Sequence, residues 1–124
     1  MDFYKEYILD HYQNPRNFGR MEGANVSFFL SNPLCGDEIK VYLKFKGNKV
    51  SKISFEGKGC VIFLASASLL TEVLKGKTKE AILSFDKNFM LELLKVPLGP
   101  NRLKCALLPL IAIQKAIKIK EKNI

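Results

Sequence analysis

Ile39-Lys40-Val41-Tyr42-Leu43-Lys44-Phe45-Lys46, then Gly47-Asn48, then Lys49-Val50-Ser51-Lys52-Ile53-Ser54-Phe55, is the stretch whose reading decides the fold. Ile39, Val41, Leu43 and Phe45 alternate with Lys40, Tyr42, Lys44 and Lys46, a period of two that buries one face and wets the other. Gly47-Asn48 is a two-residue hairpin signal. The run from Val50 to Phe55, with Ile53 and Phe55 on the core face, is the returning strand. Upstream, Val26, Phe28 and Leu30 alternate with Asn25, Ser27, Phe29 and Ser31 and predict a strand before these two. A three-stranded antiparallel meander results, and its single apolar face requires helices to cover it.

The flanking segments supply them. Phe3, Tyr7, Ile8 and His11/Tyr12 give an amphipathic helix over residues 2–13, with Asp2 placed to cap it and Asn14-Pro15 to end it. After Gly57-Lys58-Gly59-Cys60 the period changes. Ile62, Ala65, Leu69 and Val73 form a helical stripe that Gly76 stops. The small run Ala65-Ser66-Ala67-Ser68 allows either close packing or close approach of a ligand. Thr78 can cap a short helix through Leu83, and Phe89–Leu94 reads as another turn or two. Asn101 is placed to cap a last helix presenting Leu107, Leu110, Ile113/Gln114 and Ile117 to the sheet. Pro109 lies inside it and predicts a bent first turn over 102–108. The fold class expected is α+β, with residues 1–124 forming one domain and a long helix at the C-terminus.

Composition narrows the function. Apolar residues make up 48% and charged residues 26% of the 124, ordinary for a folded soluble domain. Residues 1–6 mix charge with aromatics and show no signal-peptide pattern. The longest apolar run, 106–113, is broken by Pro109 and too short to span a bilayer. The net charge of +8 raises the question of nucleic acid, but the lysines are spread through every element and alternate with apolar residues, which suits an acidic protein partner as well. The expectation is a cytoplasmic protein that binds neither membrane nor nucleic acid.

Three cysteines are too few for a disulfide scaffold, and in a reducing compartment such a set reads as metal-binding or reactive. Each lies at a junction between elements: Asn32-Pro33-Leu34-Cys35-Gly36-Asp37, Gly57-Lys58-Gly59-Cys60, and Asn101-Arg102-Leu103-Lys104-Cys105. In an antiparallel pair the entry of the second strand and the exit of the third share one end of the sheet. Cys35, Asp37 and Cys60 therefore meet there, and packing of the last helix can bring Cys105 to them. Cys60 falls at a helix N-terminus, where the macrodipole favours a thiolate. Thiolates select zinc or iron–sulfur clusters, and a carboxylate among them makes a cluster easier to release. Lys104 offers a cation that can lower a neighbouring thiol's pKa or pair with Asp37. His11, the only histidine, sits on a helix face with no cysteine near it in sequence and reads as structural rather than as a ligand.

Asp10-His11-Tyr12-Gln13-Asn14-Pro15-Arg16-Asn17, Ala65-Ser66-Ala67-Ser68, the three cysteine segments and Ala106 after the last of them occur in one order along residues 3–117. In this the chain resembles the iron–sulfur cluster assembly scaffolds of the IscU/NifU N-terminal family. The resemblance implies a SufE/NifU-like fold and a scaffold rather than an enzyme. It further implies that Cys35, Asp37, Cys60 and Cys105 hold a transient [2Fe-2S] cluster, or zinc in its place. A cysteine desulfurase would deliver sulfur, with Cys105 its first receiver; the charge of Lys104, rather than the resemblance, makes it a candidate to assist. The other partners implied are an iron or electron donor and acceptor apoproteins, and a homo-oligomer bridged by the cluster is conceivable. Two segments depart from the pattern. Lys104 stands where many members carry histidine, which resembles the SufU-like branch of zinc-dependent sulfur acceptors, yet the 45 positions from Cys60 to Cys105 lack that branch's insertion. Lys95-Val96-Pro97-Leu98-Gly99 aligns only one proline with the Leu-Pro-Pro-Val-Lys segment that IscU proteins present to a dedicated Hsp70.

Overall fold

The structure, a computed structural model, describes residues 5–33 and 36–122. Helix α1 (Glu6–Gln13) leads into strands β1 (Val26–Asn32), β2 (Asp37–Lys46) and β3 (Lys49–Lys58). Helices α2 (Val61–Leu74), α3 (Lys79–Ser84), α4 (Lys87–Leu94) and α5 (Pro100–Lys122) follow. The strands form one antiparallel sheet in the order β1-β2-β3, as the alternation predicts. Gly47 takes a positive φ of 60° in the two-residue hairpin between Lys46 and Lys49, the conformation glycine adopts without steric cost.

Ile39, Val41, Leu43, Val50, Ile53 and Phe55 fill the inner face, each no more than 2% exposed. Helix α5 covers β1 and β2, and α2 covers β3 while also packing on α1 and α5. Contact on several sides explains why α2 buries far more than one stripe: Phe63, Ala67, Leu70, Thr71 and Leu74 are inside as well as Ile62 and Ala65. The Ala65–Ser68 run serves this packing, since all four side chains are buried.

The Asn14–Asn17 segment acts as a clamp across α2 and β3. The Arg16 N–H donates to Ser68 Oγ (2.8 Å), and Asn17 Nδ2 donates to Thr71 Oγ1 (3.1 Å). Asn17 adopts a left-handed φ of 59° that also lets its carbonyl accept from Phe55 N–H at 3.0 Å. His11 Nδ1 lies 2.6 Å from Ser68 Oγ, a structural role as expected. Burial, with a lesser contribution from Arg16, lowers the His11 pKa below its ordinary value. The unfolded chain then binds the extra proton first, so this contribution is complete above about pH 6.5 and fades as pH falls through that value. Thermal unfolding followed between pH 7.5 and 5.5 is expected to show a loss of stability that His11→Gln reduces.

Three local expectations are corrected. Helix α5 is continuous from Pro100 to Lys122 with Pro109 inside it and no separate first turn. Pro109 is buried, and packing of the helix on the sheet outweighs its missing N–H. The helix also starts at Pro100, whose fixed φ suits a first helical position, so Asn101 lies within it and does not cap it. Helix α4 begins at Lys87 because Asp86 caps it, accepting from Asn88 and Phe89 N–H at 3.0 and 3.2 Å. Asp2 lies outside the described residues; α1 is preceded by Lys5, which makes no side-chain cap.

Candidate metal centre

Asp37 opens β2, and Glu38 pairs with Lys58 near the end of β3, so the strand entry and the strand exit share one edge of the sheet. Cys60, immediately before α2, is brought against Asp37: its N–H donates to Asp37 Oδ1 at 3.2 Å. Helix α5 packs on α2 and on β2, which carries Cys105, in its second turn, to the same point. One ligand atom each from Asp37, Cys60 and Cys105 lies within 4.8 Å of the others. Cys35 lies outside the described residues. Lys104 is exposed and, with Asn32 and Pro33, borders a pocket between the end of β1 and α5.

The electrostatics of this corner call for a cation. Asp37 is only 2% exposed, and its Oδ2 has no hydrogen-bond partner among the described residues. A buried carboxyl oxygen left unpaired is costly, and a metal ion facing two sulfurs would satisfy it. Burial, together with the adjacent Asp37 and Cys60, pushes the Cys105 thiol far above its ordinary pKa. Lys104 is not among the groups that move it, and a bound cation is what would favour a thiolate at Cys105. Two sulfurs and one oxygen at this spacing are the donor types that zinc and iron accept. Cys60 is exposed and Cys105 is 8% exposed, so the centre opens to solvent on the Cys60 side.

Gly59 is a member of the site that residue chemistry alone does not reveal. A Cβ there would collide with Asp37 Oδ1 and come within 2.5 Å of the Phe63 ring. The position is closed to any side chain because the carboxyl needs that space. The one signal in the sequence is the glycine directly before a cysteine at a strand exit. Gly59→Ala is expected to displace Asp37 and weaken zinc binding about tenfold, the scale seen when supporting groups around a metal are disturbed. Competition with a chromogenic chelator measures it, with Gly57→Ala as a control that perturbs backbone packing instead, since its Cβ would meet Glu38 O at 2.5 Å.

An α+β domain with helices on one face of a short meander and a Cys/Asp centre at the sheet's edge is the class that fold and site define. The chain belongs to the family of the NifU-like N terminal domain, whose pattern it matches over residues 3–123. It is 37% identical over 114 residues to the iron–sulfur cluster assembly scaffold protein IscU 1 of Archaeoglobus fulgidus, covering 92% of this chain and 74% of that protein. It is 38% identical to the zinc-dependent sulfurtransferase SufU of Bacillus subtilis, covering 95% and 91%. The crystal structure of FiSufU, a SUF-system protein from Fervidobacterium islandicum AW-1, superposes with a TM-score of 0.82 at 30% identity over 93% of this chain and 96% of that one.

Proposed function

We propose that the protein is a scaffold on which an iron–sulfur cluster is assembled and then passed to acceptor apoproteins, with residues 1–124 acting as one domain. The convergence of Asp37, Cys60 and Cys105 within 4.8 Å carries this reading, and the IscU relative supports it. Cys35 completes the set as a third sulfur ligand. The [2Fe-2S] cluster is cargo rather than a resident cofactor, and its ligand set, three thiolates and one carboxylate, is suited to release. A cysteine desulfurase supplies sulfur: the Cys105 sulfur attacks the terminal sulfur of the desulfurase's cysteine persulfide, the S–S bond breaks, and the desulfurase thiolate leaves. The thiol proton passes to the departing desulfurase thiolate, and because one S–S bond forms on Cys105 as one breaks on the desulfurase, the transfer is redox-neutral. Iron and electrons come from a separate donor. Assembly takes place in the cytoplasm, by a monomer or by chains sharing a cluster; among the described residues no helix is long and apolar enough to cross a membrane.

Anaerobic incubation with ferrous iron, cysteine and a desulfurase is expected to yield visible absorption bands with matching iron and acid-labile sulfide. A colourless product would refute the scaffold reading. A second reading, a zinc-holding sulfur acceptor that activates a desulfurase, is favoured by SufU matching 91% of its own length and by Lys104 before the last cysteine. It predicts about one zinc per chain in protein purified in air and Cys105-dependent stimulation of desulfurase turnover. When bound, zinc would hold the cysteine sulfurs as thiolates. Lys104 is proposed to assist sulfur acceptance from the solvent side, so Lys104→Ala is expected to slow sulfur uptake several-fold while zinc affinity stays within about twofold of the parent. Equal losses in both measurements would refute that division.

A further inference from the structure

The two edges of the sheet are finished differently. On the β3 edge, Phe55 accepts from Gly19 N–H at 2.7 Å and donates to Asn17 O at 3.0 Å, while Val50 exchanges bonds with Gly76 and Lys77. The β1 edge has no such cover among the described residues. Asn25 N–H donates to Leu43 O at 2.8 Å, so Leu43 directs its peptide groups toward β1. By the antiparallel alternation, Val26, Phe28 and Leu30 bond to β2. Ser27, Phe29 and Ser31 therefore direct their N–H and C=O groups outward. All three are exposed, Phe29 by 54%. Natural edge strands are usually guarded by lysine, proline or a bulge, and Val-Ser-Phe-Phe-Leu-Ser-Asn contains no charge and no proline.

Helix α5 runs beside this open edge and forms a groove with it. A pocket of about 270 Å³ is bordered by Ser31, Leu107 and Ile111, and one of about 320 Å³ by Phe28 and Ile119. Lys104 flanks the first, and Lys115 and Lys118 flank the second. Positions 104, 107, 111, 115, 118 and 119 share one helical face, which is apolar along its middle, carries three lysines and no acid.

We propose that the β1 edge and this face of α5 form a docking site for an extended, acidic segment of a partner protein, which adds to the sheet as a fourth strand. Its backbone would pair with Ser27, Phe29 and Ser31, its inward side chains would enter the two pockets, and its carboxylates would meet the lysines. A second copy of the chain fits poorly, because pairing two β1 edges sets the lysine-bearing helices of two +8 chains against each other. The site does not depend on the chemistry at Cys105. It ends beside Lys104 and Asn32, so an occupant would stand next to the metal centre.

The test uses an acetylated, fluorescein-labelled heptapeptide of alternating Glu and Val, with an alternating Lys–Val peptide as its counterpart. The acidic peptide is expected to bind saturably and more weakly as salt rises, and to slow hydrogen exchange at the Ser27, Phe29 and Ser31 amides. The basic peptide is expected not to bind. Ser27→Pro removes an outward N–H without touching the ladder to β2, and Lys115→Glu with Lys118→Glu reverses the rim. Each is expected to weaken binding about tenfold or more. Absence of saturable binding, or protection at sites other than β1, would overturn the proposal. So would equal affinity for a single-stranded DNA 12-mer, or salt-resistant dimerisation that Ser27→Pro abolishes. Should Ser27→Pro fail to fold, exchange protection in the unaltered chain decides.

Discussion

Cys105→Ser is expected to lower zinc affinity by more than about 100-fold and to leave reconstituted protein without a stable cluster. The side chain is buried and shares a 4.8 Å space with Cys60 and Asp37, so no water-exposed group can take the sulfur's place. A serine oxygen there keeps its proton and cannot act as an anionic soft ligand. The loss exceeds the tenfold or greater cost of disturbing a supporting group, because a coordinate bond itself disappears. Isothermal titration with zinc and iron-to-sulfide analysis after reconstitution measure the effect. The folded state should persist, because the substitution is close to isosteric. A thermal midpoint within a few degrees of the parent, together with unimpaired zinc binding, would show that Cys105 is no ligand. Zinc affinity of the unaltered protein is expected to rise steeply with pH, because Cys105 is held protonated until a cation arrives.

Substitution of Asp37 is expected to act in the opposite sense on the cargo. On the proposed ligand set Asp37→Ala removes the oxygen ligand, and a cluster held by sulfur alone should leave more slowly, by about tenfold in lifetime against a chelator or an acceptor apoprotein. An unchanged or shorter lifetime would show that the carboxyl does not set the rate of release. In the metal-free protein Asp37→Asn should raise stability, since the amide oxygen keeps an acceptor for Cys60 N–H and the amide N–H can donate to the adjacent sulfurs, where the carboxyl leaves Oδ2 without a partner among the described residues. The unpaired group costs about 1–3 kcal/mol, which at this chain length corresponds to a rise of several degrees in the thermal midpoint. The two effects together separate ligand from structural residue. A purely structural Asp37 would move the thermal midpoint and leave cluster lifetime alone.

The sheet was legible from side-chain alternation because period-two patterning is local: Ile39 and Leu43 reach the same face whatever the rest of the chain does. The hairpin at Gly47-Asn48 was equally local. Helix α5 was legible as a long C-terminal helix, but its regular course through Pro109 was not, since a proline argues for a bend there and only burial against the sheet explains why the helix continues through it. The same holds for Asn17, whose left-handed backbone is held by bonds to α2 and β3, both far off in sequence.

At the candidate metal centre the sequence by itself determined which residues have the right chemistry, and that Asp37 and Cys60 share an end of the sheet, because antiparallel pairing fixes both ends of a hairpin at once. Only the tertiary structure decided that Cys105 joins them, that Gly59 is shaped by the Asp37 carboxyl, and that the β1 edge, uncovered among the described residues, runs beside three lysines. Each of those depends on where α2 and α5 come to rest, and a helix's place is set by the surface it buries against rather than by its own residues.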